Sequence, residues 1–189
     1  MRELTYFVAI SLDGRIASPD VDFSAFPVEG DHIGMIMRDY RDTLPAPALD
    51  ALGLTADNSR FDTVVMGWET YAAGLPVGVD NPYPHLEQII ATRSHAHADL
   101  PESIRTTDDP VAEVRRLKQR EGAGIWLCGG GTLAATLIGE IDRLVFKVNP
   151  IVLSDGIPAF AGSYDPCAWD LTHSTAYQSG VVVNEYVRN

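Results

Sequence analysis

Residues 124–141, GIWLCGGGTLAATLIGEI, join two apolar stretches through three consecutive glycines. The stretch 124–128 is typical of a buried strand, and residues 132–141 are predicted to form a helix. A strand that leads through a glycine turn into a helix is the repeating connection of α/β proteins. Glycines without a Cβ let a pyrophosphate approach the backbone, and a helix N-terminus attracts its charge. The turn therefore predicts either an anion site or a tight connection that binds nothing.

The segments on both sides of this turn continue the alternation of strands and helices. Further strands are predicted at 4–10, 62–66, 87–92, 103–107 and 142–154, and helices at 33–42, 45–54, 68–74 and 108–124. Strands linked by crossover helices form a mainly parallel sheet that is covered on both faces. The strands 168–177 and 180–188 flank a short polar turn, which predicts a C-terminal antiparallel hairpin. The pattern predicts one α/β domain over residues 1–189.

The composition is that of a folded, acidic protein. Of its 189 residues, 46% are hydrophobic and 21% are charged, which excludes a disordered or collagen-like chain. The formal net charge is −12. Nucleic acids and anionic membranes need a basic surface, so neither is expected as the main partner. A ligand that carries phosphate would have to be held against this net charge.

The N-terminal apolar run ends at Asp13. A secretory signal needs a longer run, and a membrane helix needs about 20 apolar residues. We therefore expect a cytoplasmic protein. Its two cysteines, Cys128 and Cys167, are too few for a disulfide framework.

Two further segments place anion-binding groups where predicted strands end. Gly67 follows one strand and begins the next helix, and Thr92, Arg93 and Ser94 end another strand. Arginine with two hydroxyls suits a phosphomonoester, because the guanidinium donates two parallel hydrogen bonds. The alternatives are an ordinary strand-to-helix connection at Gly67 and a solvated arginine at Arg93. Open α/β sheets bind ligands at the carboxyl edge of their strands, so these segments together favour a ligand site.

The pair His95 and His97 has a spacing that metal ligands use, but no third ligand stands at a recognisable spacing from it. Solvated histidines in a loop are the favoured interpretation. The sequence predicts no metal site.

Five motifs, in chain order, resemble the dihydrofolate reductase-like superfamily. They are AISLDGRIA at 9–17, VVMGWETY at 64–71, ATRS at 91–94, WLCGGGTLAATLI at 126–138 and VFKVNPIVLSDGIPAF at 145–160. Within the superfamily, the chain resembles the reductase domain that ends bifunctional riboflavin-biosynthesis proteins, and the stand-alone relatives of that domain. The resemblance implies a three-layer fold whose mostly parallel central sheet has about eight strands. It also implies hydride transfer from NADPH to a small substrate, and a homodimer formed through the C-terminal strands.

The residues that the resemblance assigns to NADPH fall into three groups, which hold the pyrophosphate, face the ribose 2′-phosphate and line the nicotinamide pocket. The pyrophosphate group comprises Gly129, Gly130, Gly131, Thr132 and Leu133, together with Gly67 and Thr70. The 2′-phosphate group comprises Thr92, Arg93 and Ser94, and the nicotinamide group comprises Ala9 and Ile16. Asp13 is assigned to the substrate side. Asp31 is nearest in position to the carboxylate that helps to protonate substrate in dihydrofolate reductase, and helix capping is its alternative role. Asp13, Asp31 and ordered water are the candidate proton donors.

The sequence departs from the family pattern at Trp68, where many members have an arginine that faces the 2′-phosphate. The preference for NADPH over NADH then depends on Arg93. The basic residues of the predicted substrate wall, Arg38, Arg41 and Arg60, stand among many acids, so a riboflavin-pathway pyrimidine is a weaker candidate substrate. We predict an NADPH-dependent reductase of a small heterocyclic, carbonyl or imine substrate. True dihydrofolate reductase and a non-catalytic nucleotide-binding protein are the alternatives.

Overall fold

A computed structural model describes residues 1–95 and 100–189. Its strands are β1 (Leu4–Ile10), β2 (Arg15–Ala17), β3 (Phe61–Gly67), β4 (Glu87–Ala91), β5 (Ile104–Thr107), β6 (Gly124–Gly129), β7 (Arg143–Val148), β8 (Ile157–Pro158), β9 (Trp169–Ala176) and β10 (Val182–Arg188). Eight of them form one sheet in the order β5-β4-β3-β6-β1-β7-β10-β9. The strands from β5 to β7 are parallel, and β10 runs antiparallel to both of its neighbours. The predicted parallel sheet with a C-terminal antiparallel hairpin is confirmed.

Helices cover both faces of this sheet. They are α1 (Ile33–Asp39), α2 (Ala46–Leu52), α3 (Trp68–Ala72), α4 (Pro110–Lys118) and α5 (Gly131–Thr136), with short 3-10 turns at Arg41–Thr43 and Leu75–Val77. Within the described ranges, no helix combines the length and the apolar character that a bilayer crossing requires.

Two hydrophobic cores separate the sheet from these helices. Val114 and Leu117 of α4 and Leu133 of α5 pack with Tyr6 of β1 on one face. On the other face, which we call the α1 face, Phe7 of β1 packs with residues of α1 and α3. Successive residues of β1 therefore enter opposite cores, which explains why this strand is an uninterrupted apolar run rather than an alternating one.

The predicted helices extend too far. The prediction of 108–124 is correct only for Pro110–Lys118, where the Asp109 carboxylate accepts a hydrogen bond from the Ala112 N–H at 3.0 Å. The prediction of 132–141 is correct only up to Thr136. Hydrogen-bonded turns follow α5, because the segment contains Gly139, which has a low helix propensity.

The predicted strand 142–154 is also too long. It ends at Val148, because the Asn149 side-chain amide donates to the carbonyls of Ile10 and Lys147 at 3.0 and 3.1 Å. Pro150 follows and has no N–H to continue the ladder. The chain then turns toward β8.

A second, two-stranded sheet joins β2 to β8. The Ala159 N–H donates to the Gly14 carbonyl at 2.9 Å, and the Ala161 N–H donates to the Gly131 carbonyl at 3.0 Å. This small sheet therefore fixes residues 157–161 against the glycine turn that precedes α5. We call residues 157–161 the strap.

The edge strand β9 is exposed over most of its length. Its unpaired edge and open faces lie where the resemblance expects a second copy of the chain. Homodimerisation through these strands stays a prediction.

Candidate functional site

A cleft of about 440 Å³ lies at the carboxyl ends of β3, β4 and β6. Parallel strands bring their carboxyl ends to one edge of the sheet, which is where α/β proteins bind ligands. Eight of the residues predicted to bind cofactor line the cleft: Gly67, Thr70, Thr92, Arg93, Gly130, Gly131, Thr132 and Leu133. The structure therefore brings most of the predicted cofactor residues onto one surface.

The glycine turn between β6 and α5 forms one wall of this cleft. A Cβ on Gly130 would lie 3.8 Å from the Thr70 Oγ1 and 4.0 Å from the Ile16 Cδ1. A Cβ on Gly131 would overlap the carbonyl oxygen of Pro158 in the strap. The peptide bond between Gly129 and Gly130 is cis. Glycine at these positions lets the main chain itself face the cleft, without side chains in between.

Gly67 and Thr70 form the opposite wall. A Cβ on Gly67 would lie 3.9 Å from the Gly130 nitrogen and 4.0 Å from the Gly129 oxygen, so the ends of β3 and β6 are close neighbours. Ile16 of β2 reaches the same turn. Ala9 lies on the α1 face at the carboxyl end of β1, outside the lining of the cleft.

At the end of the cleft near β4, the Trp68 indole stacks on the His95 imidazole, with ring centroids 3.8 Å apart and planes 2° from parallel. The His95 Nδ1 lies 3.0 Å from the Ser94 Oγ and 3.4 Å from the Thr92 Oγ1. Ser94 thus contacts His95 and does not line the cleft, whereas exposed Arg93 does. This stacked pair stands where the resemblance implies an arginine.

His97, the second member of the predicted histidine pair, lies outside the described residues. Among residues 1–95 and 100–189, no group of three or more metal-ligating side chains comes together.

The predicted proton donor Asp13 fastens a turn. Its carboxylate accepts hydrogen bonds from the Ser11 hydroxyl at 2.6 Å, the Leu153 N–H at 3.1 Å and the Ser154 N–H at 2.9 Å. These bonds lower the pKa of Asp13, with the Ser11 hydroxyl as the largest cause. The anion that results suits a structural link between the β1–β2 turn and the chain before the strap. A catalytic role for Asp13 stays a prediction.

Asp31 makes a similar link at the turn between β9 and β10. Its carboxylate accepts hydrogen bonds from the N–H groups of Gln178 at 2.8 Å and Ser179 at 3.1 Å, in the turn between β9 and β10. The bond from Gln178 is the main reason that the pKa of Asp31 is lowered. Asp31 ties the segment before α1 to the hairpin and does not cap the helix. Its catalytic role likewise stays a prediction.

Sequence reasoning missed several residues of the cleft. They are Glu69, Ala91, Asp108, Pro110, Thr136 and Ile157. Two of them could have been identified from their positions in the sequence. Thr136 stands one helical turn after Thr132, and its hydroxyl donates to the Thr132 carbonyl at 2.9 Å. Asp108 follows β5, whose carboxyl end reaches the same edge of the sheet.

Comparisons with known proteins agree with this architecture. The chain matches the RibD C-terminal domain family over residues 2–183. It is 29% identical over 164 residues to the uncharacterized protein YwjB of Bacillus subtilis (strain 168), covering 84% of this chain and 83% of YwjB.

Two solved structures share the fold. A protein of Shewanella sp. PV-4 assigned to riboflavin biosynthesis superposes with a TM-score of 0.70 at 19% identity, over 100% of this chain and 99% of that one. Dihydrofolate reductase from Enterococcus faecalis, complexed with NADP(H) and RAB-propyl, superposes with a TM-score of 0.67 at 15% identity, over 99% and 96%. With the family match over nearly its whole length, the chain belongs to the RibD C-terminal domain family and has a dihydrofolate reductase-like fold.

Proposed function

We propose that this protein is an NADPH-dependent reductase and that the cleft at β3, β4 and β6 holds the cofactor. The observation that carries the proposal is the cleft itself, which is lined by glycine main chain, threonine side chains and Arg93. The fold of a dihydrofolate reductase solved with NADP(H) supports the same assignment.

The residues present fit a dinucleotide. A side chain on Gly130 would fill the space between Thr70 and Ile16, so glycine keeps that part of the main chain open to a pyrophosphate. Backbone N–H groups need no cationic side chains to bind an anion, which agrees with a net charge of −12. NADPH, when bound, supplies a hydride. The chain positions it, with Gly130, Gly131 and Thr132 at the pyrophosphate and Ile16 and Ala9 toward the nicotinamide.

The charges in the cleft decide which cofactor is preferred. Arg93 is its cation, and Glu69 and Asp108 add two carboxylates. These carboxylates oppose a 2′-phosphate, so a preference for NADPH requires Arg93 to bind that phosphate directly. Trp68 and His95 offer a flat aromatic surface where the resemblance implies an arginine.

The substrate we propose is small and not a ribose phosphate. Arg38 pairs with Asp39 at 2.7 Å, and the guanidinium of Arg60 lies over the Tyr40 ring, 3.9 Å from its centroid. Exposed Arg38 thus pairs with its chain neighbour and Arg60 packs on a buried ring, which supports a substrate without a phosphate. A heterocyclic, carbonyl or imine substrate that reaches the α1 face beside Ala9 fits better.

Titration of the protein with NADPH is expected to saturate a change in tryptophan fluorescence, because Trp68 lines the cleft. The Arg93→Ala variant should bind NADPH about tenfold more weakly or worse, because a charge-assisted contact to the 2′-phosphate is lost. Its NADH affinity should change by less than about twofold, because NADH has no 2′-phosphate.

Arg38→Ala is the matched control, since it removes the same charge from an exposed site outside the cleft. Arg38→Ala should change neither the NADPH affinity nor the NADH affinity. If neither cofactor saturates the wild-type signal, the cofactor proposal fails. Equal losses of NADPH and NADH affinity in Arg93→Ala would show that Arg93 does not bind the 2′-phosphate.

A further inference from the structure

Asp108 lines the cleft just after β5, next to the segment that carries Arg93. The last residues of β4 and β5, Ala91 and Thr107, are paired in register, and the Thr92 N–H donates to the Thr107 carbonyl at 2.8 Å. Asp108 therefore follows its strand by one residue, and Arg93 follows the neighbouring strand by two. Since both residues line the cleft, an acid and a base border adjacent parts of the proposed cofactor site.

Asp108 is not the residue that caps the following helix. At the start of α4, the Asp109 carboxylate accepts a hydrogen bond from the Ala112 N–H at 3.0 Å, and the Asp109 N–H donates to the Thr107 Oγ1 at 3.2 Å. These contacts hold the main chain between β5 and α4. Asp108 itself is exposed, so its carboxylate is accessible to a ligand in the cleft.

The two acids of the cleft stand in different places. Glu69 belongs to the first turn of α3, on the wall formed by Gly67 and Thr70, which we assign to the pyrophosphate. Asp108 borders the segment of Arg93, which we assign to the 2′-phosphate. A 2′-phosphate carries about two negative charges at neutral pH, so a carboxylate beside it is repulsive. A ribose 2′-hydroxyl is uncharged and can donate a hydrogen bond to the same carboxylate.

We propose that Asp108 is a specificity-determining residue, which accepts a hydrogen bond from the ribose 2′-hydroxyl of NADH and repels the 2′-phosphate of NADPH. Arg93 acts in the opposite direction, because its guanidinium attracts the phosphate. The two residues offset each other, so the protein binds both cofactors with dissociation constants that differ by less than about tenfold. The proposal extends the reductase function argued above from NADPH to NADH, and it rests on that function.

Titration of Asp108→Asn with each cofactor, followed by tryptophan fluorescence, tests this role. Asparagine keeps the size of the side chain and removes its charge. The NADPH affinity should rise, because a repulsion is lost, whereas the NADH affinity should not rise, because the amide oxygen is a weaker acceptor than a carboxylate. The ratio of the NADPH to the NADH dissociation constant should therefore fall by about fivefold or more. Melting curves check that the variant folds as the wild type does.

Two matched variants remove the same charge elsewhere. Asp50→Asn lies in α2, outside the cleft, and should change neither affinity. Glu69→Gln alters the wall assigned to the pyrophosphate, which both cofactors carry, so it should shift both affinities by similar factors. A change of the ratio in Glu69→Gln as large as in Asp108→Asn would show a general effect of charge in the cleft, and it would overturn the assignment of Asp108.

The salt dependence of the ratio provides a second readout. An exposed charge acts on the 2′-phosphate through solvent, so dissolved ions screen its effect. Raising the NaCl concentration from about 0.05 M to about 0.5 M shortens the Debye length from about 14 Å to about 4 Å. The ratios of the wild type and Asp108→Asn should then differ by about twofold or less. A difference that persists undiminished would indicate a changed structure of the cleft and would overturn the electrostatic role.

The outcomes separate this role from the reductase function. If neither cofactor saturates the wild-type signal, the reductase function fails and the role of Asp108 fails with it. If cofactor binds and Asp108→Asn lowers the ratio no more than Asp50→Asn does, the cofactor site stands and Asp108 does not determine specificity. A wild-type preference for either cofactor of more than about tenfold would likewise overturn the proposed balance between Asp108 and Arg93.

Discussion

Replacement of Gly131 by alanine is expected to abolish NADPH binding, with a loss of affinity of at least about 100-fold. The added Cβ would overlap the carbonyl oxygen of Pro158, which is main chain and cannot rotate away. The strap is held in turn by the pairing of Arg15 with Pro158 and by the Ala159 N–H on the Gly14 carbonyl. The glycine turn, which forms one wall of the cleft, must therefore move, and this change of the wall should weaken NADPH binding. Overpacking of this kind also costs about 1–3 kcal/mol in the free energy of unfolding.

Gly139→Ala provides the matched control, because a Cβ at Gly139 meets nothing within 4 Å. It should bind NADPH as the wild type does and should be at least as stable. Fluorescence titration and urea denaturation measure both quantities for the two variants. A Gly131→Ala protein with wild-type affinity would show that the glycine turn does not hold the cofactor.

The second large effect is expected on stability. Asp42 is 2% exposed and lies in the 3-10 turn that follows α1. Its carboxylate accepts hydrogen bonds from the N–H groups of Asn58 at 2.9 Å and of Arg60 and Phe61 at 3.0 Å each. Asp42→Ala leaves these N–H groups without their acceptor at the start of β3, so the free energy of unfolding should fall by about 3 kcal/mol or more.

Urea denaturation followed by circular dichroism measures this loss. Asp42→Asn keeps one side-chain oxygen and should lose less than Asp42→Ala. Asp50→Ala, which removes an exposed carboxylate from α2, should change the stability by less than about 0.5 kcal/mol. Equal stabilities of the Asp42→Ala and Asp50→Ala proteins would refute the role of Asp42 as the link between this turn and β3.

Features that depend on a local sequence pattern could be predicted. Apolar runs such as β1 and β6 identify strands buried on both faces, and glycine after a strand marks the turns that line the cleft. The parallel direction of most strands then follows, because strands joined by crossover helices run parallel, whereas the order of the strands in the sheet was not predicted. Arg93 could be placed in the cleft from its position at the end of a strand.

Features that depend on distant partners could not be predicted. Asp31 accepts a hydrogen bond from the Gln178 N–H, 147 residues away, whereas its sequence position suggested helix capping as the alternative role. The strands β2 and β8 have three and two residues, too few for any periodicity.

The position of β1 has a consequence for the synthesis of the chain. This first strand lies in the middle of the sheet, where Leu4 pairs with Ile125 and Thr5 with Arg143. As the protein leaves the ribosome, β1 has no strand on either side until β6 and β7 have been translated. Closing such long loops is slow, so the sheet must form late, and N-terminal fragments cannot fold alone. Until then the nascent chain exposes an apolar strand with two open edges, which is a target for chaperones and a risk for aggregation.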